Sequence, residues 1–303
     1  MKVLMFFIDG FGLGSRGEEN PYFFAPTPFL DGLLGGHVLY KDSPVVYSQQ
    51  AVMIPTDACL GVAGIPQSAT GQTTLWTGIN AAKELGSHIN AYPTRRLREI
   101  IQQYSIMKTL SDLGQKVTFA NAYRSEYFKL VEQRKAHHST STLVALSSGQ
   151  PLRSIEDLNR SNAVYQEFTN RILVEWGYPV KEITPEQAGK NLASLARQYD
   201  FTLYEYFISD RIGHARDLAG AIEVYQMLDR MMAACIADLD LQDTMMIIVS
   251  DHGNLEDISQ KGHTLNKVPT IVIHDHYKKT RFDQIASLTD VTPFVLDQLG
   301  VRR

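Results

Sequence analysis

The stretch MMIIVSDHGNLED, residues 245–257, decides how this chain is read. Met245 to Val249 is an apolar run of strand length, ended abruptly by Ser250, Asp251, His252 and Gly253. A run without polar alternation fits a strand buried on both faces, as in parallel sheets covered by helices. Such folds bind ligands at the carboxyl edge of the sheet, where this strand delivers a carboxylate and an imidazole. An isolated Asp-His pair also suits a polar loop, so the reading depends on partners elsewhere.

Working outward, Lys2 to Ile8 (KVLMFFI) repeats the buried-strand pattern and ends in the turn Asp9-Gly10-Phe11-Gly12. Pro26-Thr27-Pro28 opens a short helix through Leu34, stopped by Gly35-Gly36. Ser105 to Leu113 reads as an amphipathic helix stopped by Gly114, followed by a strand from Val117 to Ala122. Thr184-Pro185-Glu186-Gln187 starts a helix to about Gln198, with Gln187 at capping-box spacing from Thr184. A strand from Phe201 to Ile208 follows, then a long amphipathic helix from Leu218 to Leu239. After the opening strand come another at Val268 to Ile273 and a last helix around Pro293 to Leu299. This alternation predicts an α/β fold with a mostly parallel sheet covered on both faces. Between Arg124 and about Ile183 the texture changes to basic and polar residues mixed with aromatics, including Arg134, Lys135, His137 and His138. The expectation is a core formed by 1–122 and 184–303, with a small cap inserted at 123–183. A surface pair is the default for His137-His138.

A chain of 303 residues accommodates that arrangement, and its hydrophobic (44%) and charged (20%) fractions are those of a soluble globular enzyme. The net charge of −4 argues against nucleic acid or an anionic membrane as partner. An anionic substrate would then need local positive charge, which bound metal supplies. Cys59 and Cys235 form no CxxC pattern and read as thiols in a reducing cytosol. Asp9 interrupts the apolar start too early for a signal-peptide core, and no later run reaches membrane-spanning length. The chain is expected to be soluble and cytoplasmic.

Four segments beside strands carry candidate ligands: Asp9, the pair Asp210 and His214, the pair Asp251 and His252, and His263 just ahead of the strand at Val268. Each has a bland alternative. Asp9 suits a turn, Asp210 a helix cap, and His263 a loop. Together the alternatives weaken, because all four fall at strand ends. Asp210 and His214 are four apart, so on a helical turn they share a face. Imidazoles mixed with carboxylates suit Zn²⁺ or Mn²⁺, and six such side chains exceed what one tetrahedral ion needs. Two divalent ions are the economical expectation. A nucleophile candidate lies in GIPQSATGQTTLWTG, residues 64–78, where hydroxyl residues precede a helix whose N-terminus favours phosphate. Coordination to a divalent ion is what makes a serine hydroxyl nucleophilic at neutral pH.

Taken jointly, these segments resemble the alkaline phosphatase superfamily, in the branch of cofactor-independent phosphoglycerate mutase and phosphopentomutase. Asp9 matches the first metal aspartate, Asp210 and His214 the D-x-x-x-H pair, and Asp251-His252-Gly253 the D-H-G segment. His263-Thr264, Asn266 and Val268-Pro269 match H-T-x-N-x-V-P. The resemblance covers roughly 1–122 and 184–303 and implies a three-layer αβα sandwich. It also implies that one metal is held by Asp210, His214 and His263, and the other by Asp9, Asp251 and His252 with the Ser68 oxygen. Ser68 falls at the family's nucleophile position, with Thr70 as the competing candidate. Two departures matter: Gln72 stands where both mutases carry His, and the 124–183 segment is much smaller than the mutase's transfer domain. Both favour phosphomonoester hydrolysis through a phosphoserine over a phosphomutase.

Thr70, Gln72, His88, Arg95 and Arg96 are candidate contacts to a small phosphorylated metabolite, with Asn90 in the same loop. A diesterase is a further possibility. A sulfatase is disfavoured, since no C/S-x-P-x-R motif stands at Ser68. A non-catalytic binding module would show lost ligands, and none is missing.

Overall fold

Alternation along Lys2–Ile8 (β1) sets up the layers. Leu4, Phe6 and Ile8 join one buried apolar cluster, while Val3, Met5 and Phe7 join another. Successive strand side chains point to opposite faces, so a strand apolar throughout requires cover on both. The computed structural model describes residues 1–276, 282 and 284–301.

The remaining strands are Val46–Tyr47 (β2), Ala51–Thr56 (β3), Val117–Phe119 (β4), Ala122–Tyr123 (β5), Arg153–Ser154 (β6), Phe201–Tyr206 (β7), Thr244–Val249 (β8) and Val268–Ile273 (β9). The helices begin with Pro28–Leu34 (α1), Ser68–Thr77 (α2), Ala81–Leu85 (α3), Arg95–Tyr104 (α4), Ile106–Asp112 (α5), Ser125–Glu132 (α6) and Thr140–Ser147 (α7). Ile155–Asn159 (α8), Arg171–Glu175 (α9), Pro185–Ala196 (α10), Ile208–Ala215 (α11), Leu218–Asp238 (α12) and Leu288–Gln298 (α13) complete them. A seven-stranded sheet runs in the order β2-β3-β9-β8-β1-β7-β4. Residues of α1, α10 and α12 pack on one face, and residues of α2, α5, α7 and α13 on the other. The result is a three-layer αβα sandwich.

Strand direction explains how the site assembles. β4, β7, β1 and β8 are parallel, and their register places Ile8 beside Tyr206 and Phe7 beside Val249. The chain therefore leaves β1, β7 and β8 at nearly one level. β9 runs antiparallel to both β8 and β3. Its beginning, not its end, lies at that same edge, which is why His263 reaches the others although it precedes its strand.

Several boundaries differ from expectation. The strand expected at 117–122 stops at Phe119, and Ala122–Tyr123 pairs with β6 in a separate two-stranded sheet. The strand expected at 201–208 ends at Tyr206, and Ile208 already belongs to a helix. At α10, Thr184 accepts the Gln187 N–H at 3.2 Å, but the Gln187 side chain turns to Asn191, completing only half of a capping box. The last helix begins at Leu288, where Ser287 and Asp290 form a full capping box, so Pro293 lies inside it. Within the 124–183 stretch, α7 packs in the helical layer: Val144 and Ala145 sit in the core beside α4 and α5. Ala122, Ile155, Leu158, Ala163, Tyr165 and Leu173 make a small cluster of their own.

On the other face α10 crosses α12 at close range. A Cβ at Gly189 would meet the Met231 carbonyl oxygen at 2.3 Å, so the missing side chain sets the spacing between these helices.

Candidate metal centre

Two groups of ligand atoms converge at the shared edge. Asp9, Asp251 and His252 each place one donor atom within 4.8 Å of the others, as do Asp210, His214 and His263. Asp9 is the first residue after β1, and Asp251 and His252 are the second and third after β8. Asp210 and His214 share a face of α11, with Asp210 Oδ2 at 3.3 Å from His214 Nε2. His263 Nε2 stands 3.3 Å from His214 Nε2 and 3.5 Å from Asp210 Oδ1. The two groups abut, because the His252 and His263 rings stack with centroids 3.7 Å apart.

The donor set has the chemistry of a cation site. His263 Nδ1 lies 2.8 Å from the Pro66 carbonyl oxygen. A carbonyl only accepts, so the proton sits on Nδ1 and the Nε2 lone pair faces His214. Burial lowers the affinity of His252 and His263 for a proton, leaving them neutral, the form that coordinates metal. The contacts of His252 Nε2 with Asp9 and Asp251, both at 3.4 Å, are therefore not ion pairs. Burial first, then the Asp251 and Asp210 carboxylates, raises the Asp9 carboxyl well above its usual range. Burial, then Asp210, pushes Asp251 up to about 8. Asp9 Oδ1 and Asp251 Oδ2, both facing His252 Nε2, are buried without a hydrogen-bond partner. Buried acceptors facing one another without donors are costly unless a cation lies among them. The residues present fit two divalent ions.

Ser68 opens α2 and directs its Oγ to His252 Nε2 at 3.0 Å. The helix approaches this closely because Gly71 has no side chain: a Cβ there would lie 2.8 Å from the Asp251 carbonyl oxygen. Thr70 is turned away. Its hydroxyl donates to the Gln67 carbonyl and accepts the Ile89 N–H, fully buried. Gln72 reaches the centre as a supporting group, its amide donating to Asp9 Oδ2 at 3.2 Å.

His88 lies near Val62, with its Nε2 3.3 Å from that carbonyl oxygen. Asn90 accepts the Ala91 N–H. Arg95 and Arg96 are not brought to the centre. They sit on the exposed face of α4, Arg95 paired with Glu99, and Arg96 with Glu84 and Glu99. His138 bonds the Tyr127 hydroxyl at 2.6 Å.

Other residues do as much for the site although the sequence reading passed over them. Glu256 is buried and accepts from the N–H of Gly12 (3.1 Å), the N–H of Asn254 (2.7 Å), the Asn266 amide (3.0 Å) and the Thr264 hydroxyl (2.5 Å). One carboxylate thus ties together the loops that carry Asp9, Asp251-His252 and His263. Asn254 donates to Asp210 Oδ1 at 2.7 Å, Ser209 to the Asp9 carbonyl at 2.5 Å, and Phe11 N–H to Ser250 Oγ at 2.9 Å.

A family model described as the Metalloenzyme superfamily matches residues 1–303. The 2,3-bisphosphoglycerate-independent phosphoglycerate mutase of Moorella thermoacetica is 30% identical over 112 residues, covering 35% of this chain and 22% of that protein. The mutase of the same description from Antithamnion sp. is 31% identical over 110 residues, covering 34% and 22%. The match thus spans 22% of the length of these curated relatives. Among solved structures, a Pyrococcus horikoshii protein superposes with a TM-score of 0.60 at 15% identity, covering 100% of this chain and 97% of that one. Phosphoglycerate mutase from Leishmania mexicana gives 0.54 at 13%, covering 100% and 96%. These likenesses support the fold.

Proposed function

The chain belongs to the metalloenzyme superfamily, and from that premise we propose a phosphomonoesterase that uses two divalent ions, Mn²⁺ or Zn²⁺, and works through phosphoserine at Ser68. The observation that carries this reading is the position of Ser68 Oγ, 3.0 Å from a ligand of one group and beside the stacked imidazoles that join the two. Asp9, Asp251 and His252 would hold one ion with Ser68, and Asp210, His214 and His263 the other. When bound, the ions lower the pKa of the attacking hydroxyl and balance charge on the phosphoryl oxygens.

The chain's own residues supply position and polarity. The N-terminus of α2 sets Ser68 where backbone N–H groups and the helix dipole favour an anion. Ser68 forms the bond to phosphorus as the ester oxygen departs with its electron pair, and water later displaces Ser68 from the opposite side. Gln72 and Asn254 hold Asp9 and Asp210 in orientation, and Glu256 fixes the loops. His214, with its side chain 43% exposed, leaves the Asp210 side open to water. That openness favours hydrolysis, as does Gln72, whose amide cannot shuttle a proton.

The alternative is a phosphomutase, the activity of the relatives described above. The substrate on either reading is a small phosphorylated metabolite rather than nucleic acid, and residues of 123–183 would help to select it. Among the described residues no helix is long and apolar enough to cross a membrane. Cys59 and Cys235 as free thiols support a cytoplasmic setting.

Protein reconstituted with Mn²⁺ or Zn²⁺ and given a panel of phosphomonoesters and diesters tests this. Free phosphate from monoesters, with a phosphorylated Ser68 peptide by mass spectrometry, is expected. Isomerised ester without free phosphate identifies the mutase, and turnover of nothing or of diesters alone overturns the monoesterase.

A further inference from the structure

Beside the metal centre the same edge of the sheet holds a cavity of about 240 Å³, walled by Tyr92, Tyr123, Tyr127, His137, Glu205 and Phe207. Its walls are continuous with the machinery. Glu205 lies on β7 in register with Phe7 of β1, and its charge is felt by Asp9. Phe207 immediately precedes α11, three positions before Asp210. Tyr92 ends a loop whose Ile89 exchanges hydrogen bonds with Thr70 on the first turn of α2, two residues from Ser68. A phosphate seated at Ser68 would have this cavity as the neighbouring space for its ester group.

Resting on the function proposed above, we infer that this cavity receives the alcohol portion of the phosphoester, and that this alcohol is an uncharged ring bearing hydroxyl groups. The aromatic walls offer flat apolar faces, with Tyr123 and Tyr127 4.6 Å apart and Tyr92 and His137 5.6 Å apart between ring centroids. Glu205 supplies the polar floor. Its backbone is clamped by Asn121 through bonds of 2.7 and 2.9 Å, and one carboxyl oxygen accepts the Ser141 hydroxyl at 2.6 Å.

A second anion beside this carboxyl would meet repulsion, whereas an apolar alcohol would displace water without satisfying it. A hydroxyl does neither. Arg124 also lines the cavity, but its guanidinium is engaged, stacked over the Trp176 ring at 4.6 Å and close to Glu126. It does not turn the cavity into a carboxylate site.

The test is calorimetric binding to the manganese-loaded Ser68→Ala protein, which does not turn ligand over. The ligands are inorganic phosphate, 3-phosphoglycerate, and three ring esters: glucose 6-phosphate, ribose 5-phosphate and myo-inositol 1-phosphate. At least one ring ester is expected to bind about tenfold tighter than phosphate, the scale of one good stacking contact, and 3-phosphoglycerate no tighter than phosphate. Adding Tyr92→Ala, a change at a 54% exposed residue, should remove that advantage and leave phosphate affinity unchanged. Glu205→Gln should narrow the gap between ring ester and 3-phosphoglycerate. Three results each overturn the inference: no ring ester exceeding phosphate, 3-phosphoglycerate matching the best ring ester, or an advantage that survives Tyr92→Ala. Loss of phosphate affinity itself would instead remove the functional reading, and this inference with it.

Discussion

Ser68 Oγ and His252 Nε2 stand 3.0 Å apart although 184 residues separate them in the chain. The contact joins the first turn of α2 to the end of β8, and Thr70, two residues on, faces the other way with both hydrogen-bonding roles filled. Ser68→Ala is therefore expected to lose on the order of 10³-fold or more in kcat, while the six remaining ligands still let Mn²⁺ stabilise the protein. Thr70→Val should keep its turnover and lose about 1–2 kcal/mol of stability, because the Ile89 N–H is left unpaired. Phosphate release and urea unfolding on both variants check this, and an active Ser68→Ala enzyme would reverse the assignment.

Glu256→Ala removes the acceptor shared by three ligand-bearing loops. Metal affinity should fall about 10–100-fold, and unfolding free energy by about 3 kcal/mol or more as buried donors lose their partner. Competition with a chelator measures the first and denaturant titration the second. A variant with native metal affinity would show that the loops hold themselves.

Metal uptake should release protons. Without metal, burial and neighbouring carboxylates raise the Asp9 and Asp251 carboxyls, Asp251 to about 8, so that Asp251 still holds a proton near neutrality. Coordination requires the charged form. Titration of Mn²⁺ at pH 6.5 in buffers of differing ionisation enthalpy is expected to show proton release that shrinks as pH passes about 8. Heats independent of buffer would count against raised carboxyls.

Glu205 gives the metal-free protein a pH-dependent stability. Burial raises its folded pKa to about 7, with Ser141 opposing, whereas the unfolded side chain titrates at 4.5. The folded state then holds more protons between these values, so stability falls as pH rises from about 4.5 to about 7, by on the order of 3 kcal/mol. Above that window the loss is complete. Glu205→Gln should flatten this part of the curve in urea unfolding between pH 5 and 8, and an unchanged slope would assign it elsewhere.

Gly189→Ala tests the α10–α12 crossing. The Met231 carbonyl oxygen, 2.3 Å from the added Cβ, is backbone and cannot rotate aside. A loss of about 1–3 kcal/mol is expected, outweighing the gain in helix propensity, and read as a lower urea midpoint.

Legibility of the sequence followed the local character of each signal. Strands β1, β8 and β9 are largely apolar runs and β7 a largely aromatic and aliphatic one, and the ligands stand within a few residues of their ends or beginnings. Asp210 and His214 needed only helical spacing. Strand β3 was missed because Pro55 argues against a strand. In the sheet Pro55 lies opposite Pro269, and both stand beyond the paired ends of β2 and β8, so neither interrupts those flanking ladders. The reversed direction of β9 has no local signature at all, nor does the role of Glu256, whose four donors come from three separate loops. Arg95 and Arg96 misled because cations at the end of the 87–98 loop suggest an anion, whereas their partners are Glu99 on α4 and Glu84 on the adjoining α3.

The central place of β1 has a consequence for biosynthesis. Gly10 N and Asp251 Oδ1 form a hydrogen bond across 241 residues of chain, and both strands flanking β1 are synthesised long after it. At the usual pace of translation, β1 would wait on the order of ten to fifty seconds for β8. Through most of that interval, until β7 emerges, an apolar segment stays without a sheet neighbour, and neither group of ligands is complete. Metal capture would thus come late on the ribosome, and a nascent chain truncated before His263 should bind Mn²⁺ poorly however well its earlier helices form.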